Sequence, residues 1–364
     1  MILADGFSMG ASDPDVLWNG LENGAFPFVT RLREAGFDLI LLGFEERSAS
    51  IYDNAEVAIE CIKKTIDERE GQAKLAVGGF SMGGLVTRYA LAKLHHEGFR
   101  HETATYLSYD TPHRGAWLPL SVQAFAHFVK DHWGATPVIG ELLSRFSTMV
   151  NSPAARQLLR WHTEGVGADD GQDQERTDFL AELKRVGSWP DGVRRLGVAN
   201  GTGTGAGNNI PAGVTALSST GPVLGGTRLD TQATGEQVVA VLQKAGDAPV
   251  TIRTSGLPDI DGAPGGLFPE APGLPGRPAN FGTAAMLAGL IDGEQAELTY
   301  NATTFVPTVS AVAAGEIDDH DTLYSKIEAA DSELHAFKCA SDNEGHTVMT
   351  VELGEWIVEQ LQAG

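Results

Sequence analysis

The sequence predicts an α/β fold in which a mostly parallel sheet is flanked by helices and interrupted by an inserted helical cap. Within residues 1–110, apolar runs of strand length alternate with amphipathic runs of helix length, which is typical of strands joined by crossover helices. Residues 117–190 lose this alternation and have the pattern of several helices. A chain of 364 residues, 42% of them hydrophobic, is also long enough to bury a large core.

The first part of the chain consists of successive strand–helix units. The predicted strands are Ile2–Ala4, Phe37–Leu42, Lys74–Gly78 and Thr103–Ser108. The predicted helices are Pro27–Ala35, Ala55–Arg69 and a third from Gly83 to about Leu94. Right-handed crossovers would place these helices on the two faces of one sheet.

The second part is less regular. Its clearest helices, inside the expected cap, are Leu143–Met149, Ala154–His162 and Thr177–Val186. The later elements are expected to be a strand Arg195–Asn200, short β pieces, a long surface loop over residues 255–281, a strand Thr303–Val312 and a final helix Val351–Gln360. We therefore divide the chain into an N-terminal core part (1–116), a cap (117–190) and a C-terminal core part with long Gly- and Pro-rich loops (191–364).

Charge and composition narrow the classes of partner. The net charge of −22 repels the phosphates of nucleic acids and of anionic lipid, so we expect neither a nucleic-acid partner nor stable membrane insertion. The chain has no apolar stretch near the roughly 18 residues of a membrane span, and its N-terminus lacks a signal-peptide pattern. The expectation is a soluble protein, cytoplasmic or secreted. Two cysteines predict neither a disulfide framework nor a zinc cage, and the oligomeric state is not predicted.

A candidate nucleophile follows the third predicted strand. Gly79-Phe80-Ser81-Met82-Gly83 fits the pattern G-x-S-x-G, with a strand before it and a helix after it. Such a turn forces the serine into a strained backbone conformation and requires small neighbours. The helix N-terminus behind Ser81 can stabilise developing negative charge, so the Met82 amide is one predicted oxyanion donor. The second is the Phe7 amide, which lies behind Gly6 after the first strand.

A serine hydroxyl needs a base, and the base needs a carboxylate that orients it. Of the ten histidines, His346 has the expected place in a loop before the last helix. His113 follows a middle strand and is assigned a structural or substrate-lining role. For the acid, the usual loop after the penultimate strand holds no carboxylate. Asp110, which ends the strand after the nucleophile strand, is therefore the first candidate, and Asp318 or Asp319 is the alternative.

At these residues the chain resembles the lipase-like branch of the α/β-hydrolase superfamily, near bacterial lipases and GPI-inositol-deacylase-like esterases. The likeness lies in residues 78–89, in Asp110-Thr111-Pro112-His113-Arg114-Gly115-Ala116 and in residues 343–346. It implies a serine hydrolase without a cofactor or a metal, acting on carboxylic esters of small molecules or lipids, with a helical lid over an apolar acyl pocket. Pancreatic-type lipases similarly carry their acid after the earlier strand.

The cap supplies the candidate substrate contacts. These are Trp117, Leu118 and Phe125, together with Phe128, Val138, Ile139 and residues 142–146. The same apolar residues could equally form the core of the cap itself.

Other functions have weaker support. Gly201-Thr202-Gly203-Thr204-Gly205-Ala206 matches a dinucleotide fingerprint, but no helix start follows it. Acidic clusters at residues 169–173 and 317–321 could bind calcium, although such runs are more often solvated loops. An acyltransferase that uses the same acyl-enzyme, or a catalytically silent binding module of the same fold, remains the alternative function.

Overall fold

The structure is a computed structural model that describes residues 1–168, 170–269, 280–293 and 295–363. In chain order its strands are β1 Ile2–Ala4, β2 Ile40–Leu42, β3 Leu75–Phe80, β4 Thr103–Tyr109, β5 His162–Thr163, β6 Asp170–Gly171, β7 Arg194–Thr202, β8 Thr215–Ser219, β9 Arg228–Asp230, β10 Gly235–Leu242, β11 Val250–Leu257, β12 Gly265–Leu267, β13 Ala296–Leu298, β14 Thr304–Pro307 and β15 Ala336–Ala340.

The α-helices lie between and after these strands. They are α1 Pro14–Glu22, α2 Phe28–Glu34, α3 Ile51–Glu68, α4 Met82–His96, α5 Leu120–Trp133, α6 Gly140–Val150, α7 Pro153–Leu158, α8 Gln174–Arg185, α9 Phe281–Asp292, α10 Thr308–Ala311, α11 His320–Tyr324 and α12 Val351–Gln362.

The main sheet has six strands in the order β15-β7-β4-β3-β1-β2, and every neighbouring pair is parallel. Side chains alternate between its two faces, as the strand period requires. Ile2 and Val77 pack in one core with α3 and α4, whereas Leu3 and Ala76 pack in another with α2 and α12. With helices on both faces and a sharp turn from β3 into α4, this topology confirms the predicted α/β-hydrolase fold.

A second layer covers one side of the molecule. Five antiparallel strands form its sheet in the order β11-β10-β9-β8-β13. Helix α5, the first helix after residue 117, packs against β9, β10 and α9. The layer therefore combines α5, a helix of residues 117–190, with strands that come later in the chain.

Two sequence expectations for the C-terminal part were wrong. Thr303–Val312 is not one strand, because β14 ends at Pro307 and α10 follows it; the last strand of the main sheet is β15. The described part of residues 255–281 is not a surface loop either. Ile260, Asp261 and Ala263 are buried, and β12 pairs with β14 inside the molecule. Residues 270–279 of that segment lie outside the described residues.

Candidate active site

Ser81 lies at the sharp turn between β3 and α4. Its backbone has φ 52° and ψ −124°, and its amide donates to the Tyr109 carbonyl at 2.9 Å. A Cβ added to Gly79 would come within 2.4 Å of the Gly83 carbonyl carbon, and one added to Gly83 within 2.4 Å of the Ala4 carbonyl oxygen. The turn is therefore possible only because both neighbours lack side chains.

Asp110 and His346 form a buried hydrogen-bonded pair. The Nδ1–Oδ2 distance is 2.7 Å, and the Asp110 side chain is fully shielded from solvent. The other carboxylate oxygen, Oδ1, accepts the Asn200 amide at 3.0 Å. Because Nδ1 carries the proton that it donates to the carboxylate, Nε2 of a neutral ring has a free lone pair. That Nε2 is buried and has no hydrogen-bond partner among the described residues.

Ser81 and the pair lie at the same edge of the sheet, although no hydrogen bond joins His346 Nε2 to the Ser81 hydroxyl. In the register of β3 against β4, Phe80 faces Tyr109, so Ser81 and Asp110 each follow a paired residue. The carboxyl ends of parallel strands point to the same edge, which is where ligands bind in open α/β sheets. The sequence motif at Ser81 and the acid chosen after β4 therefore lie together in the fold.

Two residues that hold the histidine loop, which we define as residues 341–350 between β15 and α12, were not found from the sequence. The Tyr109 hydroxyl and the Asn200 amide nitrogen Nδ2 both donate to the Val348 carbonyl, each at 2.8 Å. Burial raises the pKa of Tyr109 well above its ordinary value, so the phenol stays protonated and able to donate. Neither residue belongs to a recognisable motif, and only the tertiary fold reveals their contacts.

Two free amides border Ser81. Met82 begins α4 and Phe7 follows the loop after β1, and neither amide has an intramolecular hydrogen-bond partner in the described residues. The preceding Gly6 amide is occupied, since it donates to Asp5 Oδ1 at 2.7 Å. A Cβ on Gly6 would lie 3.2 Å from Ser81 Cβ, so this loop runs directly past the serine. The site thus offers unpaired N–H donors beside a hydroxyl.

The alternative acids do not approach His346. Asp318 pairs with Arg160 at 2.8 Å. Asp319 caps α11 by accepting the amides of Asp321 and Thr322. Both carboxylates have other partners, whereas His346 Nδ1 is bonded to Asp110, so the structure favours Asp110 over these alternatives.

The cap residues proposed as substrate contacts lie in the protein core. Trp117, Leu118 and Phe125 are buried, and the Trp117 indole donates to Asp261 Oδ1 at 2.7 Å. Their contact with substrate stays a prediction. Val138, by contrast, is 100% exposed and does not line an enclosed pocket, so its assignment was wrong. It lies in the turn just before α6, where no neighbouring element covers it.

His113 is buried against Arg88 and Trp189. Its Nδ1 lies 3.2 Å from Arg88 Nη1, and its ring centroid lies 5.1 Å from that of Trp189. Burial, together with the charges of Arg88 and Arg114, lowers its pKa well below the ordinary value. These contacts explain a structural role, while a role in lining the substrate site stays a prediction.

Within the described part of the chain, the glycine-rich motif and the acidic clusters do not form the binding sites that their sequences suggested. No helix begins between Gly201 and the start of β8 at Thr215, a stretch that the structure describes in full, so this motif does not lead into a helix N-terminus that could bind a pyrophosphate. In the first acidic cluster, Asp173 pairs with Arg156 and His162, and Asp169 lies outside the described residues. Among the residues that the structure describes, no group of three His, Cys, Asp or Glu side chains could hold a metal ion. Cys61 and Cys339 are both free.

Comparison with known proteins gives one family. Residues 53–145, which include Ser81 and Asp110, match the family described as "Putative serine esterase (DUF676)". This match, which covers 93 of the 364 residues, agrees with the resemblance to serine esterases. No curated protein sequence matches the chain. No helix within the described residues is long and apolar enough to cross a membrane.

Three of the solved structures that match the chain are a lipase in two forms and a carboxyl esterase, and each has low similarity to it. The mature form of the Bacillus licheniformis lipase BlEst2 is 13% identical with a TM-score of 0.32, over 54% of this chain and 64% of that one. Its propeptide form is also 13% identical with a TM-score of 0.32, over 54% of this chain and 35% of that one. The metagenomic carboxyl esterase MGS0156 is 15% identical with a TM-score of 0.29, over 54% of this chain and 49% of that one. The chain thus spans less than two thirds of each of these structures.

Proposed function

We propose that this chain is a serine hydrolase that cleaves carboxylic esters with an apolar acyl group. The observation that carries the proposal is the buried His346–Asp110 hydrogen bond of 2.7 Å, which leaves Nε2 unpartnered at the sheet edge that bears Ser81. A histidine held by a carboxylate on one nitrogen and free on the other is a general base for a neighbouring hydroxyl.

In the proposed mechanism, Ser81 attacks the ester carbonyl carbon while His346 Nε2 takes the hydroxyl proton. The resulting imidazolium is stabilised by Asp110, whose negative charge lies next to Nδ1. The imidazolium then protonates the leaving alcohol, and an acyl-enzyme remains on Ser81. Water, activated by the same histidine, releases the carboxylic acid and restores the serine.

The tetrahedral intermediates carry a negative oxygen, which we assign to the amides of Met82 and Phe7. Both are unpaired in the described residues, so they need not give up a bond to bind the oxyanion. Met82 also begins a helix of 15 residues, whose N-terminal dipole favours negative charge.

The preference for an apolar acyl group is supported by the aromatic residues around the base. The Phe305 ring lies 5.0 Å from the His346 ring, and Phe268 lies 4.6 Å from Phe305. The backbone of the first cap residue lies beside Phe305, because the Trp117 amide donates to the Phe305 carbonyl at 2.8 Å. An aliphatic chain would find these apolar surfaces next to the reacting carbon.

The test is Ser81→Ala measured with nitrophenyl esters from acetate to palmitate and with a fluorophosphonate probe. We expect the variant to lose hydrolysis and labelling, while Ser255→Ala, which alters an exposed serine of β11, keeps both. If the unaltered protein hydrolyses the esters and Ser81→Ala retains more than a few per cent of that rate, Ser81 is not the nucleophile.

Two other results would identify the alternative functions. An acyltransferase would pass the acyl group to an added alcohol or amine in preference to water. A silent binding module would show neither turnover nor labelling of Ser81 despite a folded protein.

A further inference from the structure

We infer that residues 260–268 form a positioning segment for His346, and that Gly266 lacks a side chain so that Asp110 and His346 can meet. The inference rests on the function proposed above, because it concerns how the base of that mechanism is held. It assigns a role to a part of the chain in which the sequence predicted only a loop.

The segment is bonded directly to the histidine loop. The Leu267 amide donates to the Glu344 carbonyl and the His346 amide donates to the Leu267 carbonyl, both at 2.8 Å. These two bonds lie on either side of Gly345, which faces Leu267 in an isolated parallel bridge. The backbone of His346 is thus fixed by β12, a strand outside the main sheet.

Gly266 lies against the acid itself. A Cβ at this position would come within 2.1 Å of Asp110 Oδ2, the oxygen that accepts from His346, and within 3.3 Å of the His346 Cα. The glycine has no left-handed backbone angle, so what the position requires is space. Any side chain would separate the carboxylate from the imidazole or displace the histidine loop.

The segment is anchored in its middle and near its start. In the middle, Asn343 Oδ1 accepts the backbone amides of Gly265 and Thr202, each at 3.1 Å, and so ties β12 to the end of β7. Near the start, buried Asp261 accepts the Trp117 indole at 2.7 Å and the Gln232 backbone amide at 2.6 Å. The segment therefore joins the start of the cap and the second sheet to the histidine loop.

The first experiment compares Gly266→Ala with Gly289→Ala, which adds the same methyl group where no atom lies within 4 Å. We expect Gly266→Ala to lower kcat by about 100-fold, the scale of a misplaced catalytic group, with KM changed by less than about threefold. Gly289→Ala should keep the unaltered kcat. Retention of full kcat by a folded Gly266→Ala protein would overturn the inference.

A double-mutant cycle separates positioning from general damage to the fold. If Gly266 acts through the Asp110–His346 bond, its substitution should cost little once Asp110→Asn has already impaired that bond. If Gly266→Ala lowers kcat by the same factor with and without Asp110→Asn, the inference is contradicted. If Gly266→Ala shows no cooperative melting, Asn343→Ala, which adds no bulk, replaces it in the same cycle with the same two outcomes.

A measurement independent of turnover distinguishes failure of this inference from failure of the proposed function. The Nδ1 proton shared by His346 and Asp110 should give a far-downfield proton resonance that His346→Ala abolishes. We expect Gly266→Ala to lose or shift it and Gly289→Ala to keep it. An unshifted resonance in Gly266→Ala refutes the positioning role, whether or not the protein hydrolyses esters. If Gly266→Ala shifts or removes the resonance but the probe never labels Ser81, the proposed esterase function fails and the positioning role of Gly266 stands.

Discussion

Asp110 follows an earlier strand than the one after which hydrolases usually place their acid, and its partners in the fold explain how a buried carboxylate can lie there. The residue directly follows β4, has φ 46°, and is fully buried. Its two carboxylate oxygens are bonded by His346 and by the Asn200 amide. A buried carboxylate without partners would carry a large desolvation penalty, so these bonds are what allow a charge here.

Asp110 and Asp319 are two of the carboxylates that the sequence offers as the acid. We expect Asp110→Asn to lower kcat by roughly 10³–10⁴-fold, because an amide no longer selects the productive imidazole tautomer. Asp319→Asn should leave kcat near the unaltered value, since Asp319 caps a helix. Steady-state kinetics on one nitrophenyl ester decide the matter, and the reverse order of effects would move the acid to Asp319.

Two polar side chains from the main sheet hold the loop that carries His346. Tyr109 and Asn200 both donate to the carbonyl of Val348, two positions after His346. Their residue types carry no catalytic signature, and they come from β4 and β7, far from the histidine in sequence. Such supporting contacts are set by the tertiary fold, so a motif search passes over them.

At the scale of elements, the decisive feature is the close approach of β1, β3 and α4. Gly83, in the first turn of α4, lies where a Cβ would come within 2.4 Å of the carbonyl oxygens of both Ala4 and Asp5. The helix can therefore begin next to the first strand only if this position has no side chain. The same closeness brings the loop after β1 next to Ser81, because a Cβ on Gly6 would lie 3.2 Å from Ser81 Cβ.

We predict that Gly83→Ala reduces the free energy of unfolding by about 1–3 kcal/mol, the usual cost of overpacking, and impairs ester hydrolysis. Backbone atoms of β1 must move to admit the methyl group, because the obstructing atoms are not the ends of flexible side chains. Urea denaturation followed by circular dichroism gives the value. Gly20→Ala in α1, where a Cβ meets nothing within 4 Å, is the control. Equal stability of the two variants would show that the approach is looser than the structure indicates.

At the scale of the whole molecule, Asp261 joins parts of the chain that are distant in sequence. It accepts hydrogen bonds from Trp117 at the start of the cap and from Gln232 near the second sheet, and it lies next to β12. Burial raises the pKa of Asp261 to about 6, although its hydrogen bonds act in the opposite direction. The folded protein therefore holds this proton more tightly than the unfolded chain, whose pKa is near 3.8.

The sign of the pH effect follows from proton binding. Between about pH 4 and pH 6 the folded state binds more protons than the unfolded state, so the contribution of Asp261 to stability falls as pH rises through this window. We predict that the destabilisation caused by Asp261→Asn is smaller at pH 7 than at pH 4.5 by about 2 kcal/mol. Urea titrations of both proteins at the two pH values measure it. A difference that does not change with pH would mean that Asp261 is ionised throughout.

The sequence predicted those structural elements that depend on patterns among neighbouring residues and missed those that depend on distant contacts. The strands and helices around Ser81 were predicted nearly to their ends, because hydrophobic periodicity and the glycine-flanked serine are local patterns. Thr303–Val312 was misjudged as one strand, since an apolar run does not show where a strand gives way to a helix. Residues 255–269 were misjudged as a surface loop because Pro and Gly are also typical of exposed turns.

The sequence by itself determined the α/β class, the parallel core, the serine turn and the loop that bears the histidine, because each depends on residues that are neighbours along the chain. The tertiary structure decided which carboxylate meets His346, which backbone strand holds that histidine, and why Gly266 must be a glycine. Those contacts join residues 110, 200, 266 and 346, whose separation in sequence leaves no local pattern. They exist only once the chain has folded.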